Sequence, residues 1–268
     1  SSNAAIKFVV SGTNLDNDIV SIDNISVSFS APNTLTGDNG NNIMLGDVTG
    51  SMFNGGAGND VIRAGDGNDA ITQLSTDGHD YIDGGAGNDT YVLQGTASAE
   101  TFNIYSRDAW LALGNGHTAA STTGIVVTRN GTTDANVVAE LSNVEEFRVN
   151  GSTQAGTMTN GFNGVGGGSG DTVNVIGNFV GTGLAYNTIT VNGADNTVDI
   201  TNLTSAHRVV MNTDGGAGSI VGASRPQDIL NTGVQSIVEA SLSDISPVTG
   251  GVTMPIEPIA VRTFESLA

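Results

Sequence analysis

The sequence predicts an all-β fold built around a parallel β-roll or β-solenoid, and three observations predict it. A nine-residue period runs from Gly37 to Val92, one column of that period is apolar in all six units, and turn-forming residues fill most of the rest. At 268 residues the chain can bury a core as one long domain or as two or three smaller ones. With 38 Gly and only 5% aromatic residues it would tend to disorder unless something besides a conventional core holds it together. Bound metal supplies such a staple.

Charge narrows the partners. A net charge of -19 repels phosphate backbones and anionic lipid heads, so nucleic acid and membrane insertion are excluded as roles and cations are favoured. Apolar runs are only a few residues long, too short for a membrane span, and no basic stretch leads into an apolar run as in a signal peptide. With no cysteine, disulfides cannot serve as staples, and a metal-stapled fold needs none. The opening Ser-Ser-Asn-Ala reads as an expression scar, and the natural protein is expected to extend beyond both ends.

Residues 1–36 contain two alternating apolar segments, Ile6 to Val10 and Ile19 to Phe29, joined by a polar turn at Gly12 to Asp16, and these predict strands. The stretch Asp18-Ile-Val-Ser-Ile-Asp-Asn-Ile-Ser-Val-Ser resembles the closing strands of bacterial jelly-roll domains, which implies the end of a preceding β-sandwich-like domain.

The periodic units are GDNGNNIML, GDVTGSMFN, GGAGNDVIR, AGDGNDAIT, STDGHDYID and GGAGNDTYV, with Gln73 and Leu74 inserted before the fifth. Position 8 is Met44, Phe53, Ile62, Ile71, Ile82 and Tyr91, so each unit predicts a six-residue turn and a short x-apolar-x strand with position 8 inward. Position 6 is Asn42, Ser51, Asp60, Asp69, Asp80 and Asp89, which sets carboxylates at one corner of the later units. Gly at positions 1, 2 and 4 permits positive φ and turns carbonyls toward that corner. Hard oxygen donors without Cys, and with little His, select calcium over zinc or copper.

Alternate units lie on the same side of such a coil, so loop 37 faces 55, 55 faces 75, 46 faces 64 and 64 faces 84. Bare carboxylates at about 4 Å repel by roughly 4 kcal/mol at an intermediate dielectric. A cation between them reverses that term. With a dissociation constant of about 0.1 mM and about 1.5 mM calcium, mass action contributes about 1.6 kcal/mol per site, and three or four sites about 5 to 6 kcal/mol. That is comparable with the whole stability of a small domain, so folding is expected to depend on calcium. Solvated turns without metal would explain one isolated unit, but not six in succession with an apolar column.

The unit resembles the G-G-x-G-x-D-x-U-x nonapeptide of RTX proteins, which Gly55 to Arg63 and Gly84 to Val92 match at every defined position. The resemblance implies ions clasped between two loops. One loop supplies the carbonyls of positions 2 and 4 and its position 6 carboxylate; the next supplies the carbonyls of positions 1 and 3 and its own carboxylate. Carried over, one site comprises Gly65, Gly67, Asp69, Gly84, Ala86 and Asp89. A second comprises Gly56, Gly58, Asp60, Ser75, Asp77 and Asp80, and a third Asp38, Gly40, Asn42, Gly55, Ala57 and Asp60. The insertion at Gln73 and Leu74 disturbs the register of the first two, and Ser51 leaves the 46/64 pair weak or empty.

From Leu93 the pattern changes to longer strands at Thr101 to Tyr105, Ile125 to Thr128, Val137 to Leu141 and Val144 to Val149, with a short capped helix after Ser106. Trp110, Tyr105, Arg107 and His117 have the composition of a sugar or haem site, but a lone Trp is far more often a packing plug. Glycines 164 to 170 predict a flexible connection into a second, degenerate repeat with Val173, Ile189, Val198, Val209 and Ile220 as its apolar ladder. Thr204 to Val210 and Ser224 to Ile229 resemble the C-terminal tails that join animal-type haem peroxidase domains to RTX repeats in secreted bacterial proteins. His207 there offers a haem or metal ligand, but a single His beside a strand is more often surface or packing.

The expected division is 1–36, the end of a sandwich; 37–92, the calcium-binding roll; 93–163, a β-rich intermediate region; 164–230, the degenerate β-solenoid; and 231–268, a linker or export region. Glu100, Glu140, Glu145 and Glu146 are too scattered for a solenoid carbohydrate enzyme, so no catalytic site is expected. The RTX resemblance implies a module of a larger secreted, extracellular or cell-surface protein that uses a type I secretion channel and folds on calcium outside the cell. An adhesin or surface-layer segment capable of self-association, and the non-catalytic tail of a secreted haem peroxidase, are the alternatives.

Overall fold

A computed structural model describes residues 34–150, 170–185, 188–213, 216–223 and 225–232. Contacts divide the chain into Ser1–Ser30 and Ala31–Ala268, and every described residue belongs to the second unit. The jelly-roll-like strands, the Gly164 to Gly168 connection and the stretch after 232 lie outside the described residues.

β1 (Thr34–Thr36) precedes the first unit, and each of the six units then gives one short strand: β2 (Ile43–Leu45), β3 (Met52–Asn54), β4 (Val61–Arg63), β5 (Ala70–Gln73), β6 (Asp80–Asp83) and β7 (Thr90–Gln94). Pairing skips one strand each time. β1 pairs β3 in parallel, β3 pairs β5 and β5 pairs β7, while β2, β4 and β6 form the opposite sheet. Period nine thus becomes a two-sheet roll, because six turn residues carry the chain from one sheet to the other. All six position 8 side chains point inward, Met44 at 7% exposure and the other five at 2% or less. Each such burial contributes about 1.5–3 kcal/mol, so this column replaces a globular core. The insertion at Gln73 and Leu74 lengthens one turn, and neighbouring loops pair twenty residues apart beyond it rather than eighteen.

After β7 come β8 (Thr101–Ser106), helix α1 (Arg107–Ala112), β9 (Ile125–Arg129), β10 (Val137–Ser142) and β11 (Glu146–Asn150). The chain jumps ahead and returns. β8 joins the second sheet two places away from β10, β9 fills the gap by pairing antiparallel with both β8 and β10, and β10 pairs β6 in parallel. β11 then pairs β7 in parallel. Ser106 caps α1 by accepting the Ala109 N–H. Trp110, fully buried, packs beside Tyr105, Val126 and Val137 as a second small core and donates from Nε1 to the Thr118 carbonyl. It is a packing plug.

The remaining strands are β12 (Thr172–Ile176), β13 (Ile189–Asn192), β14 (Asn196–Asp199), β15 (Val209–Asn212), β16 (Gly218–Val221) and β17 (Ile229–Asn231). They extend the same two sheets, giving orders β1-β3-β5-β7-β11-β13-β15-β17 and β16-β14-β12-β8-β9-β10-β6-β4-β2. The second apolar ladder is therefore two interleaved ones: Ile189 and Val209 lie in one sheet, Val173, Val198 and Ile220 in the other. The first four of these five residues in chain order are fully buried and Ile220 packs partly buried against the same core. Nearly all regular structure is β and mostly parallel.

Candidate metal centre

The turns between strands stack into two columns, one on each side of the roll, and each position 6 carboxylate holds the preceding loop of its column. Asp60 Oδ1 accepts the Asn42 N–H at 2.7 Å, and Asp80 Oδ1 accepts the Asp60 N–H at 2.8 Å. On the other side Asp69 Oδ1 accepts the Ser51 N–H at 2.6 Å, and Asp89 Oδ1 accepts the Asp69 N–H at 2.8 Å. The loop pairs 37/55, 55/75, 46/64 and 64/84 are all in contact.

Only one oxygen of each carboxylate is used this way. Asp60, Asp69 and Asp89 are at most 2% exposed, and the Oδ2 of each is buried with no hydrogen-bond partner. A buried anionic oxygen without a donor is costly, and a hard cation removes the cost. Burial pushes the carboxyls of Asp69 and Asp80 up to about 7 and that of Asp89 up to about 6. Nearby carboxylates add to the shift: Asp89 and Asp47 beside Asp69, Asp60 and Asp77 beside Asp80, Glu145 and Asp83 beside Asp89. Asp60 and Glu145 are also raised, chiefly by burial. These donor sets fit calcium.

Among the described residues no group of three or more His, Asp or Glu side chains is placed to hold an ion, so a cation at these corners would complete its shell with backbone carbonyls. The glycines make that approach possible. Gly85 and Gly87 have φ of 98° and 144°, and a Cβ on them would lie 2.0 and 1.7 Å from the carbonyl oxygens of Gly65 and Gly67. Any side chain there would separate the loops.

The sequence-derived residues assemble to different degrees. In the 64/84 pair, Asp69 meets Asp89, and Ala86 donates to the Gly65 carbonyl at 2.9 Å while Gly67 donates to that of Ala86 at 2.8 Å, leaving each carbonyl one further lone pair. In the 37/55 pair, Asn42 meets Asp60, the Gly55 carbonyl overlies Gly37, and the carbonyls of Asp38 and Gly40 overlie Gly56 and Gly58. Asp38 is exposed, and its carboxyl, held below the usual range by the Gly40 N–H and the Asn42 amide, binds within its own loop. In the 55/75 pair, Asp60 meets Asp80, but Ser75 is exposed and Asp77 Oδ2 accepts the Leu74 N–H at 2.6 Å, capping its own turn. The two inserted residues reshape this loop.

Further contacts at the corner lie outside the position 6 and position 8 columns. Position 5 amides peg neighbouring loops: Asn41, Asn59 and Asn68 accept N–H groups from Asn59, His79 and Asn88. The recurrence of Asn at position 5 is the signal for them. Glu145 Oε2 accepts the Asp89 N–H at 2.8 Å, and Asp171 Oδ1 and Asn196 Oδ1 accept from Glu100 and Asp171. No nine-residue register announces these. His207 is buried between Ser205 Oγ and the Leu184 carbonyl, edge-on to Phe179, as packing.

Comparison with known proteins agrees with the corner chemistry. The family described as RTX calcium-binding nonapeptide repeat (4 copies) matches residues 30–48, 52–72 and 75–93. No curated protein and no solved structure matches the chain. Repeats of this family bind calcium, and no helix among the described residues is long and apolar enough to cross a membrane. The inward ladder and the corner aspartates all fall within the matched stretches, so residues 30–93 of this chain are a run of RTX calcium-binding repeats forming a structural module.

Proposed function

We propose that this chain is the calcium-locked folding module of a larger secreted bacterial protein, kept unfolded where calcium is scarce, exported through a type I channel and folded on reaching millimolar calcium. The observation that carries the reading is the buried, partnerless Oδ2 on Asp60, Asp69 and Asp89. Calcium supplies the positive charge that lets these oxygens ionise in a desolvated corner. Asp60, Asp69, Asp80 and Asp89 hold the ions in this reading. Backbone carbonyls of Gly56, Gly58, Gly65, Gly67, Gly84 and Ala86 complete the shells, and Asp38, Gly40, Asn42, Gly55, Ala57, Ser75 and Asp77 contribute at the flanking loops.

Without the cation, folding at neutral pH has to bury several carboxylates or protonate them. The conditional step is then ion binding, and the apolar ladder completes it. A calcium titration of the chelated chain followed by circular dichroism tests this, with magnesium as control. A cooperative gain of β signal near millimolar calcium, absent with magnesium, is the expected result. A β signal unchanged by chelation would overturn the reading.

A further inference from the structure

The column of loops that begins with 46/64/84 does not end at the last nonapeptide. Ser142 to Glu145, outside every matched stretch, stacks on Gly84 to Asp89: Gly84 N–H donates to the Ser142 carbonyl at 3.0 Å, and Glu145 and Glu146 both donate to the Asp89 carbonyl. Glu145 Oε2 accepts the Asp89 N–H at 2.8 Å. That is the bond by which Asp89 holds Asp69 and Asp69 holds Ser51, made across a corner with no nonapeptide loop.

The backbone repeats the match. A Cβ on Gly84 would lie 2.0 Å from the Asn143 carbonyl oxygen, as one on Gly37 would lie 1.9 Å from that of Gly55. Asn143 adopts the left-handed conformation with φ 49°, which Asn tolerates better than most residues. Val144, fully buried, fixes the loop in the core. The same point above Gly84 is 2.6 Å from Asp89 Oδ2, so the partnerless oxygen of that wholly buried carboxylate is aimed at the seam with the 142–145 loop.

The geometry points to a further divalent-cation site outside the repeats, between Gly84–Asp89 and Ser142–Glu145, in which Glu145 takes the place of a repeat aspartate. The extra methylene of Glu spans the shorter corner. Asp89 Oδ2, the Glu145 carboxylate and the Asn143 carbonyl supply oxygen donors, with Gly85 and Gly87 as the loop carbonyls on the repeat side. A closed site here joins the repeats to the strands that follow, because β11 starts at Glu146.

The inference rests on the calcium reading above, and calorimetric titration of the full chain separates the two. Glu145→Gln keeps an acceptor for the Asp89 N–H and removes the charge. It is expected to bind one calcium fewer than the parent and to gain less in Tm from calcium, with its Tm in chelator unchanged. Unchanged stoichiometry in E145Q while the parent binds calcium overturns this site alone; a parent that binds no calcium overturns the functional reading. If E145Q does not fold, a calcium-loaded crystal of the parent decides: an ion between Asp89 and Glu145 supports the site, and ions only between nonapeptide loops overturn it.

Discussion

A repeat aspartate such as Asp69 has two oxygens in different settings: Oδ1 holds the neighbouring loop by its amide, and Oδ2 is buried without a hydrogen-bond partner, the place of a cation in the proposed function. Asp69→Asn keeps the first role and removes the second. It is expected to weaken calcium binding about tenfold or more, while leaving the Tm in chelator unchanged or raised. The pH dependence follows from the same groups. Asp69, Asp80 and Asp89 have folded-state carboxyls near 7, 7 and 6, against 3.8 ordinarily. A raised folded value means that protonation favours folding, so their contribution is full below about pH 4 and lost as pH rises through about 6 to 7. Thermal melts in chelator should therefore fall in midpoint between pH 5 and pH 8, and melts in millimolar calcium should not. These aspartates were legible because their position recurs at a fixed place in the period. Glu145 was not, since nothing in its local sequence repeats and its partner Asp89 is fifty-six residues earlier.

At the scale of elements, the inward ladder and the amide ladders divide the work. Ile71 is fully buried between Phe53 and Tyr91 in the pairing of β3, β5 and β7, so Ile71→Ala is expected to cost about 2–5 kcal/mol in urea unfolding, with or without calcium. Along the first sheet a second ladder runs through Gln94, Asn150, Asn192, Asn212 and Asn231. Each later amide donates from Nδ2 to the one before, at 2.8 to 3.3 Å. Asn192 sits in the middle, and Asn192→Ala should lower stability by about 1–2 kcal/mol while leaving calcium stoichiometry intact. The apolar columns could be read from the recurrence of apolar residues along the chain. The asparagine ladder could not, because its rungs are separated by intervals as different as 56, 42, 20 and 19 residues. The strand character of β9 was legible for the same reason as the columns, but its reversed direction depends on a pairing that local sequence does not encode.

For the described residues, both sheets run unbroken from the repeats into the later strands, and Trp110 on α1 packs against β8 and β9, after the repeats in the chain. Its fluorescence and the far-UV signal should follow calcium with one midpoint; separate midpoints would mean that the two halves fold independently. The fold-back of β8, β9 and β10 also has a consequence in time. Through the repeats each new coil docks on one laid down eighteen or twenty residues earlier, so assembly resembles a zipper. At β7 the zipper stops, for the next strand of that sheet, β11, arrives fifty-six residues later, and β8 waits seventy-one residues for β12. Closing the longer span costs only about 1 kcal/mol more than an eighteen-residue step, so the delay is one of search rather than of stability. Stopped-flow mixing with calcium should then give a fast phase from the repeats and a slower one from Trp110. A chain emerging end to end would finish its first block, pause, and use that finished edge as the template for the rest.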